Sequence, residues 1–277
     1  MLKNKGYNII HVIRIKEGLP QYSNDDGNIY CSIDSLPAIF KKIKITAVIH
    51  LATKYGRNGE VFDVFQSNLN LPLKILQLCV QHECNTFLST DTFFGKPIFN
   101  YQHLRLYTLS KANLIDWVKI FCKQNPNVKF VNLRLEHVYG PGDSLLKFVP
   151  DIILKLKMNQ KEIPMTSGIQ IRDFVYVDDV SSLYLDLLEK TESIPTGFNE
   201  YEVGTGVGTS IRRFADLACS LVGSESRFFY GAVPTRENEI MESIASIEPL
   251  RAFGWTPSVP LEEGLAKTIM SLNQEKM

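Results

Sequence analysis

Tyr107 and Lys111 stand four residues apart in the stretch YTLSKANLIDW, residues 107–117. On an α-helix, positions i and i+4 share a face, so the phenol and the ammonium would point the same way. A cation beside a phenol stabilises the phenolate and lowers a pKa that is ordinarily about 10. Such a pair could move a proton near neutral pH. The same spacing also arises on ordinary surface helices, so the surrounding residues must decide between the two readings.

Three apolar, strand-length runs rich in Val, Ile and Phe end in polar residues. AVIHLA (47–52) leads into Thr53-Lys54-Tyr55-Gly56-Arg57 and NTFLST (85–90) into Asp91-Thr92-Phe93-Phe94-Gly95. KFVNLRL (129–135) leads into Glu136-His137-Val138-Tyr139-Gly140-Pro141-Gly142. In an open parallel sheet, ligands bind beyond the carboxyl ends of the strands. The three polar segments therefore fall on one rim, and the helix bearing Tyr107 and Lys111 follows the second.

The elements that must position these residues alternate along the first two-thirds of the chain. NIIHVIR (8–14) is a further strand, and SLPAIFKKI, NLNLPLKILQLCVQH and LSKANLIDWVKIFCKQ have helical patterns. Apolar residues spaced by three and four in LPLKILQLCV mark a helix face. Strands alternating with helices predict βαβ units around a buried parallel sheet. After YGPGD (139–143) the pattern changes. A helix is expected over LLKFVPDIILKLK, started or kinked by Pro150. The extended RDFVYV then precedes a helix, DDVSSLYLDLLEK, that Asp178 or Asp179 could cap. A strand YEV, a glycine-rich turn and a helix SIRRFADLACSLVG capped by Ser210 complete a region with few strands. The expected division is 1–143 as a dinucleotide-binding domain and 144–277 as mainly a substrate-binding lobe.

Composition excludes several classes. Hydrophobic residues make up 44% and charged residues 22%, which suits a globular protein rather than a disordered chain. Thirty basic side chains balance thirty acidic ones, so no global field favours nucleic acid or an anionic membrane. No apolar run approaches the roughly 20 residues of a membrane span, and the N-terminus lacks the pattern of a signal peptide. Cys31, Cys79, Cys84, Cys122 and Cys219 are odd in number and scattered, as free thiols in a reducing cytoplasm would be. The five histidines are equally dispersed, so no metal site is expected. GTGVG (204–208) follows a strand and precedes a helix, like a dinucleotide-binding turn. It sits late in the chain, and no acidic residue ends a following strand at the usual distance. It reads as a structural turn.

The ordered series HLAT (50–53), STDTFFG (89–95), YTLSK (107–111), LRLEHVYGPG (133–142) and RDFVYVDDV (172–180) resembles the extended short-chain dehydrogenase/reductase family. Its members act on nucleotide-activated sugars. EIMESIASIEPLRAFGWTPSVPLEEGL matches that family's C-terminal pattern, so the likeness covers nearly the whole chain. It implies an α/β fold, a Rossmann-type doubly wound parallel sheet with a smaller C-terminal substrate-binding lobe. It makes Tyr107 the proton donor or acceptor at the sugar, Lys111 the holder of the nicotinamide ribose, and Thr90 the hydrogen-bond partner of the reacting oxygen. The implied cofactor-binding set is Arg14, Leu51, Ala52, Thr53, Ser89, Tyr107 and Lys111. The implied substrate set is Asp91, Thr92, His137, Arg172 and Arg236, with His137 standing where the family usually has Asn.

HLATKYGR, FNYQHLRLY, LRLEHVYGPGD and QIRDFVYVDDV narrow the resemblance to nucleotide-sugar 4-ketoreductases of deoxysugar and O-antigen biosynthesis. A nucleotide-sugar 4-epimerase or a non-catalytic relative remains the alternative. Arg14 stands where NAD-preferring members carry an acidic residue, so NADP is expected, with NAD as the other choice. The expected partners are a nucleotide-activated sugar and a second copy of the chain in a homodimer, with neither nucleic acid nor membrane. MLKNKGYNIIHVIR reads as a helix end running through Gly6 into the second strand of the dinucleotide-binding half. The preceding strand and glycine-rich turn, about 20 residues, are expected to be missing. That predicts an apolar gap in mid-sheet and weak cofactor binding.

Overall fold

The computed structural model describes residues 1–13, 22–25 and 28–274. The chain opens with strands β1 (Ile10–Val12), β2 (Tyr22–Asp25) and β3 (Asn28–Cys31), then helix α1 (Leu36–Lys42). Strand β4 (Ala47–His50) leads through α2 (Val61–Phe65), a π-helical turn (Gln66–Asn70) and α3 (Leu71–Gln81) to β5 (Thr86–Thr92). Helix α4 (Arg105–Gln124), β6 (Lys129–Leu135), β7 (His137–Tyr139), α5 (Phe148–Lys157) and β8 (Glu162–Met165) follow. Next come β9 (Ile171–Tyr176), α6 (Val177–Glu189), β10 (Gly197–Val203), β11 (Gly208–Ser210) and α7 (Ile211–Val222). The chain closes with β12 (Arg227–Tyr230), β13 (Glu242–Ser243), α8 (Glu248–Phe253) and α9 (Leu261–Gln274). The fold is α/β and of Rossmann type.

Two compact units emerge, each discontinuous in sequence. The first comprises Met1–Thr90, Leu109–Asn132 and Tyr184–Asn199. Its four-stranded sheet has the order β10-β6-β5-β4, and β4 runs parallel to β5 with His50 opposite Ser89. The stacked rings of Phe87, Phe130 and Phe198 cross this sheet at 5.2 and 6.0 Å between centroids. Ile75, Leu76 and Cys79 of α3 and Leu114, Val118 and Cys122 of α4 pack on the same cluster. Burying each larger apolar side chain stabilises the fold by about 1.5–3 kcal/mol, so the apolar stripe of α4 fixes which of its residues face the sheet. Strands β1, β3 and β2 form a separate sheet in that order, β1 being parallel to β3. The β1 and β4 strands therefore belong to different sheets.

The second unit comprises Asp91–Thr108, Leu133–Leu183 and Glu200–Met277. Strand β9 is its hub, pairing with β11, β13 and β7. Phe174, Tyr176, Tyr139 and Phe214 build its core with Ile152, Ile153, Leu265 and Ile269. Helix α7 begins where Ser210 Oγ accepts from Arg213 N and ends at Gly223, whose φ of +70° suits the left-handed cap. Pro150 lies in the first turn of α5, where its missing N–H breaks no helical hydrogen bond.

Two expectations need correction. The region after residue 143 is not poor in strands, since β8 to β13 all lie there. Several are only two to four residues long, too short to show a period. Asp178 and Asp179 do not precede α6 but lie inside its first turn. Asp179 instead accepts from Ser258 N, Ser258 Oγ and Val259 N at 2.9, 2.9 and 3.1 Å, fastening the segment before α9. No described helix is long and apolar enough to cross a membrane. The cysteines are free thiols, four buried and Cys219 half-buried.

Candidate active site

In the first unit, the carboxyl ends of β4 and β5 meet Lys111 of α4. The Lys111 side chain is buried, 2% exposed, and its Nζ donates to Thr90 O at 2.7 Å. Thr90 is half-buried, and its Oγ1 donates to His50 O at 3.2 Å, tying the ends of the two strands together. Just beyond β4, Leu51 is 58% exposed, Ala52 is exposed and Thr53 half-buried. Asn68 holds this segment. Its Oδ1 accepts from Lys54 N at 2.8 Å and Thr53 Oγ1 at 3.4 Å, while its Nδ2 donates to Lys54 O and to Ser110 Oγ. Asn68 therefore fixes the loop after β4 against the turn of α4 that precedes Lys111. A lone Asn in SNLN gave no sequence signal for this task.

Tyr107 lies in the same continuous helix α4 and is 6% exposed. Helix periodicity puts it on the face of Lys111. Arg14 lies outside the described residues. Ser89 is buried in the middle of β5, opposite His50 at the end of β4.

In the second unit, Arg172, His137 and Arg236 lie among aromatic side chains. Arg172 is 6% exposed; its Nη2 donates to Glu239 Oε1 at 2.8 Å and its Nη1 to Ile171 O at 2.9 Å. Its guanidinium lies 5.8 Å from the centre of the Phe93 ring. The His137 ring packs on Phe174 at 4.8 Å and near Phe93 at 6.4 Å. Burial, then the charges of Arg172 and Lys147, lower the His137 pKa to about 3, so the ring is neutral at physiological pH. Arg236 is exposed and acts on buried Tyr101, whose pKa burial and Glu239 raise while Arg236 and Arg172 oppose the rise. Asp91 and Thr92 have structural partners. Asp91 Oδ2 accepts from Arg134 Nε at 3.2 Å, and Thr92 Oγ1 caps the following turn by accepting from Phe94 N.

A buried charge network, invisible in the sequence, braces this unit. Lys96 Nζ contacts Glu136 Oε1 at 2.6 Å and Glu202 Oε2 at 3.0 Å, and donates to Ile244 O at 3.0 Å. Ser243 Oγ also donates to Glu136 Oε1. One ammonium thus joins the segment after β5 to β10, to the residue before β7 and to the chain after β13.

The GTGVG turn is held by protein rather than shaped for a phosphate. Asp173, fully buried, accepts from Thr205 N, Thr205 Oγ1, Gly206 N and Ala245 N at 2.6–3.2 Å. A Cβ on Gly204 would come 2.3 Å from Asp173 Oδ2, so the glycine is required by this close approach. An aspartate already fills the anion-binding role of the turn.

The geometry can hold a reduced or oxidised nicotinamide nucleotide at its ribose end. A buried ammonium, a half-buried hydroxyl and an exposed apolar shelf at Leu51 and Ala52 together offer donors and a surface for a flat ring.

Comparison with known proteins agrees with the fold and defines the family. The structure superposes on UDP-glucose 4-epimerase of Thermotoga maritima with a TM-score of 0.82 at 22% identity, covering 100% of this chain and 94% of that one. It also matches Thermus thermophilus UDP-glucose 4-epimerase, solved with NAD, at a TM-score of 0.74 and 21% identity, covering 98% and 93% of the two chains. Both likenesses show the fold. The model of the NAD dependent epimerase/dehydratase family matches residues 1–204, and the chain belongs to that family. CDP-abequose synthase of Salmonella typhimurium is 38% identical over 279 residues, covering 98% of this chain and 92% of that protein.

Proposed function

We propose that the protein reduces the C4 carbonyl of a nucleotide-linked 4-keto-6-deoxy or 3,6-dideoxy sugar with NADPH, in deoxysugar and O-antigen biosynthesis. The observation that carries the reading is Lys111, whose ammonium is buried against Thr90 O on the helix that also bears Tyr107. Likeness to CDP-abequose synthase supports the substrate class.

When bound, the nicotinamide supplies a hydride. Tyr107 donates the proton that the carbonyl oxygen needs, and Thr90 Oγ1, turning its one proton from His50 O to the substrate, donates a hydrogen bond that polarises it. Lys111 favours the phenolate that remains and holds the ribose. Leu51, Ala52 and Thr53 form the adjoining cofactor surface, to which Ser89, expected from the sequence, does not contribute because it is fully buried, and Arg14 favours the 2′-phosphate of NADP. Arg172 and Arg236 attract the diphosphate of the substrate, with neutral His137 beside Arg172 as a hydrogen-bonding group. A homodimer completes the proposal, its helix α4 offering Leu109, Trp117 and Ile120, exposed by 41, 59 and 57%, to the second copy.

Incubation with a CDP-linked 4-keto sugar and NADPH tests the reaction. Stoichiometric loss of NADPH absorbance is the expected result. Turnover of the sugar without net loss of NADPH would establish an epimerase instead.

A further inference from the structure

His50 is buried, 4% exposed, yet neither ring nitrogen makes a hydrogen bond among the described residues. Ser89 is fully buried, and its hydroxyl is likewise unpartnered. The two are register partners on adjacent parallel strands, so their side chains leave the same face of the sheet. Phe87, two residues before Ser89, belongs to the cluster that α3 and α4 cover, and its ring lies 6.2 Å from that of His50. This is the face that Lys111 approaches from α4. The charge of Lys111 reaches His50 and joins burial in lowering its pKa to about 3, burial being the larger cause. The ring is therefore a neutral dipole beside a buried cation.

An unsatisfied buried polar group costs about 1–3 kcal/mol, so an apolar pair at these positions would make a more stable sheet. What the polar pair supplies instead is solvation for an ammonium that has left water. We propose that His50 and Ser89 are positioning residues that form a polar floor beneath Lys111 and keep it charged and aimed at Thr90 O. The Thr90 hydroxyl fixes the backbone of His50 from the other side, so one strand end serves both groups. The inference rests on the reading of Lys111 as the partner of Tyr107. A better-solvated ammonium favours the Tyr107 phenolate, and loss of the floor weakens that effect.

The test titrates Tyr107 by its near-ultraviolet phenolate absorbance, each protein being measured against the same protein carrying Tyr107→Phe. His50→Leu should raise the Tyr107 midpoint, while His50→Gln should return it toward the parent value. Ser89→Ala removes a single atom and carries the same test should His50→Leu fail to fold, with a smaller rise. Lys111→Met measures the full effect of the cation. A rise in Lys111→Met with none in His50→Leu or Ser89→Ala overturns the polar floor alone. No rise in Lys111→Met overturns the Tyr107–Lys111 reading beneath it.

Discussion

Replacing Lys96 by Met should destabilise the protein by an amount the buried network sets. The side chains of Lys96 and Glu136 are 7% and 0% exposed, while that of Glu202 is 25% exposed and partly screened. Removing one partner of a buried pair leaves an uncompensated charge and costs about 3–5 kcal/mol. Among the described residues, the Glu136 carboxylate then keeps the Ser243 hydroxyl as its hydrogen-bond donor. In a protein of this size each kcal/mol lowers Tm by roughly 2–4 °C, so a loss of about 10 °C is expected by calorimetry. Lys96→Met with Glu136→Gln should recover most of it, because the orphaned charge is gone. The pH dependence has a definite sign. Burial raises the Glu136 pKa, with Lys96 and Ser243 opposing the rise, so removing Lys96 raises it further. An acid whose folded pKa exceeds its unfolded one is destabilising when ionised, and the penalty disappears as pH falls below the unfolded value. The deficit of Lys96→Met should therefore shrink on mild acidification. A single variant within about 1 kcal/mol of the parent, or a double variant no better than the single, would refute a net role for this pair.

Tyr107→Phe should lower turnover at least about a hundredfold by removing the proton donor, with nucleotide-sugar affinity unchanged in equilibrium binding. Arg236→Ala should weaken nucleoside-diphosphate binding about tenfold by calorimetry, with only a small fall in Tm, because Arg236 is exposed and interacts with Tyr101. Fluorescence titration should show tighter binding of NADPH than NADH, and Arg14→Asp should erase the difference. Equal dissociation constants in the parent would remove that argument.

The βαβ pattern of the first half was legible because strands such as KFVNLRL are apolar along their length and coincide with β6. The Tyr107–Lys111 spacing was legible because α4 runs unbroken through both residues. The short strands β11 and β13 were not, since two or three residues show no period and depend on pairing with β9. The interleaving of the units was equally hidden. Residues 184–199 cluster with the first 90 residues through tertiary contacts that no local pattern encodes. Asp173 shows the same limit within RDFVYV. Its sequence position suggested a motif, but its work is to bind the amides of a turn more than 30 residues away. Lys96 and Glu136 read as ordinary charges until the fold brings them to 2.6 Å.

The proposed reaction delivers a hydride to the sugar. NADPH labelled with deuterium at the transferable position, incubated with a CDP-linked 4-keto sugar, tests it by mass spectrometry of the product. One deuterium should appear at C4 of the sugar for each NADPH oxidised, and Tyr107→Phe should abolish the transfer. A sugar that turns over without gaining deuterium, while the labelled cofactor remains reduced, would contradict it.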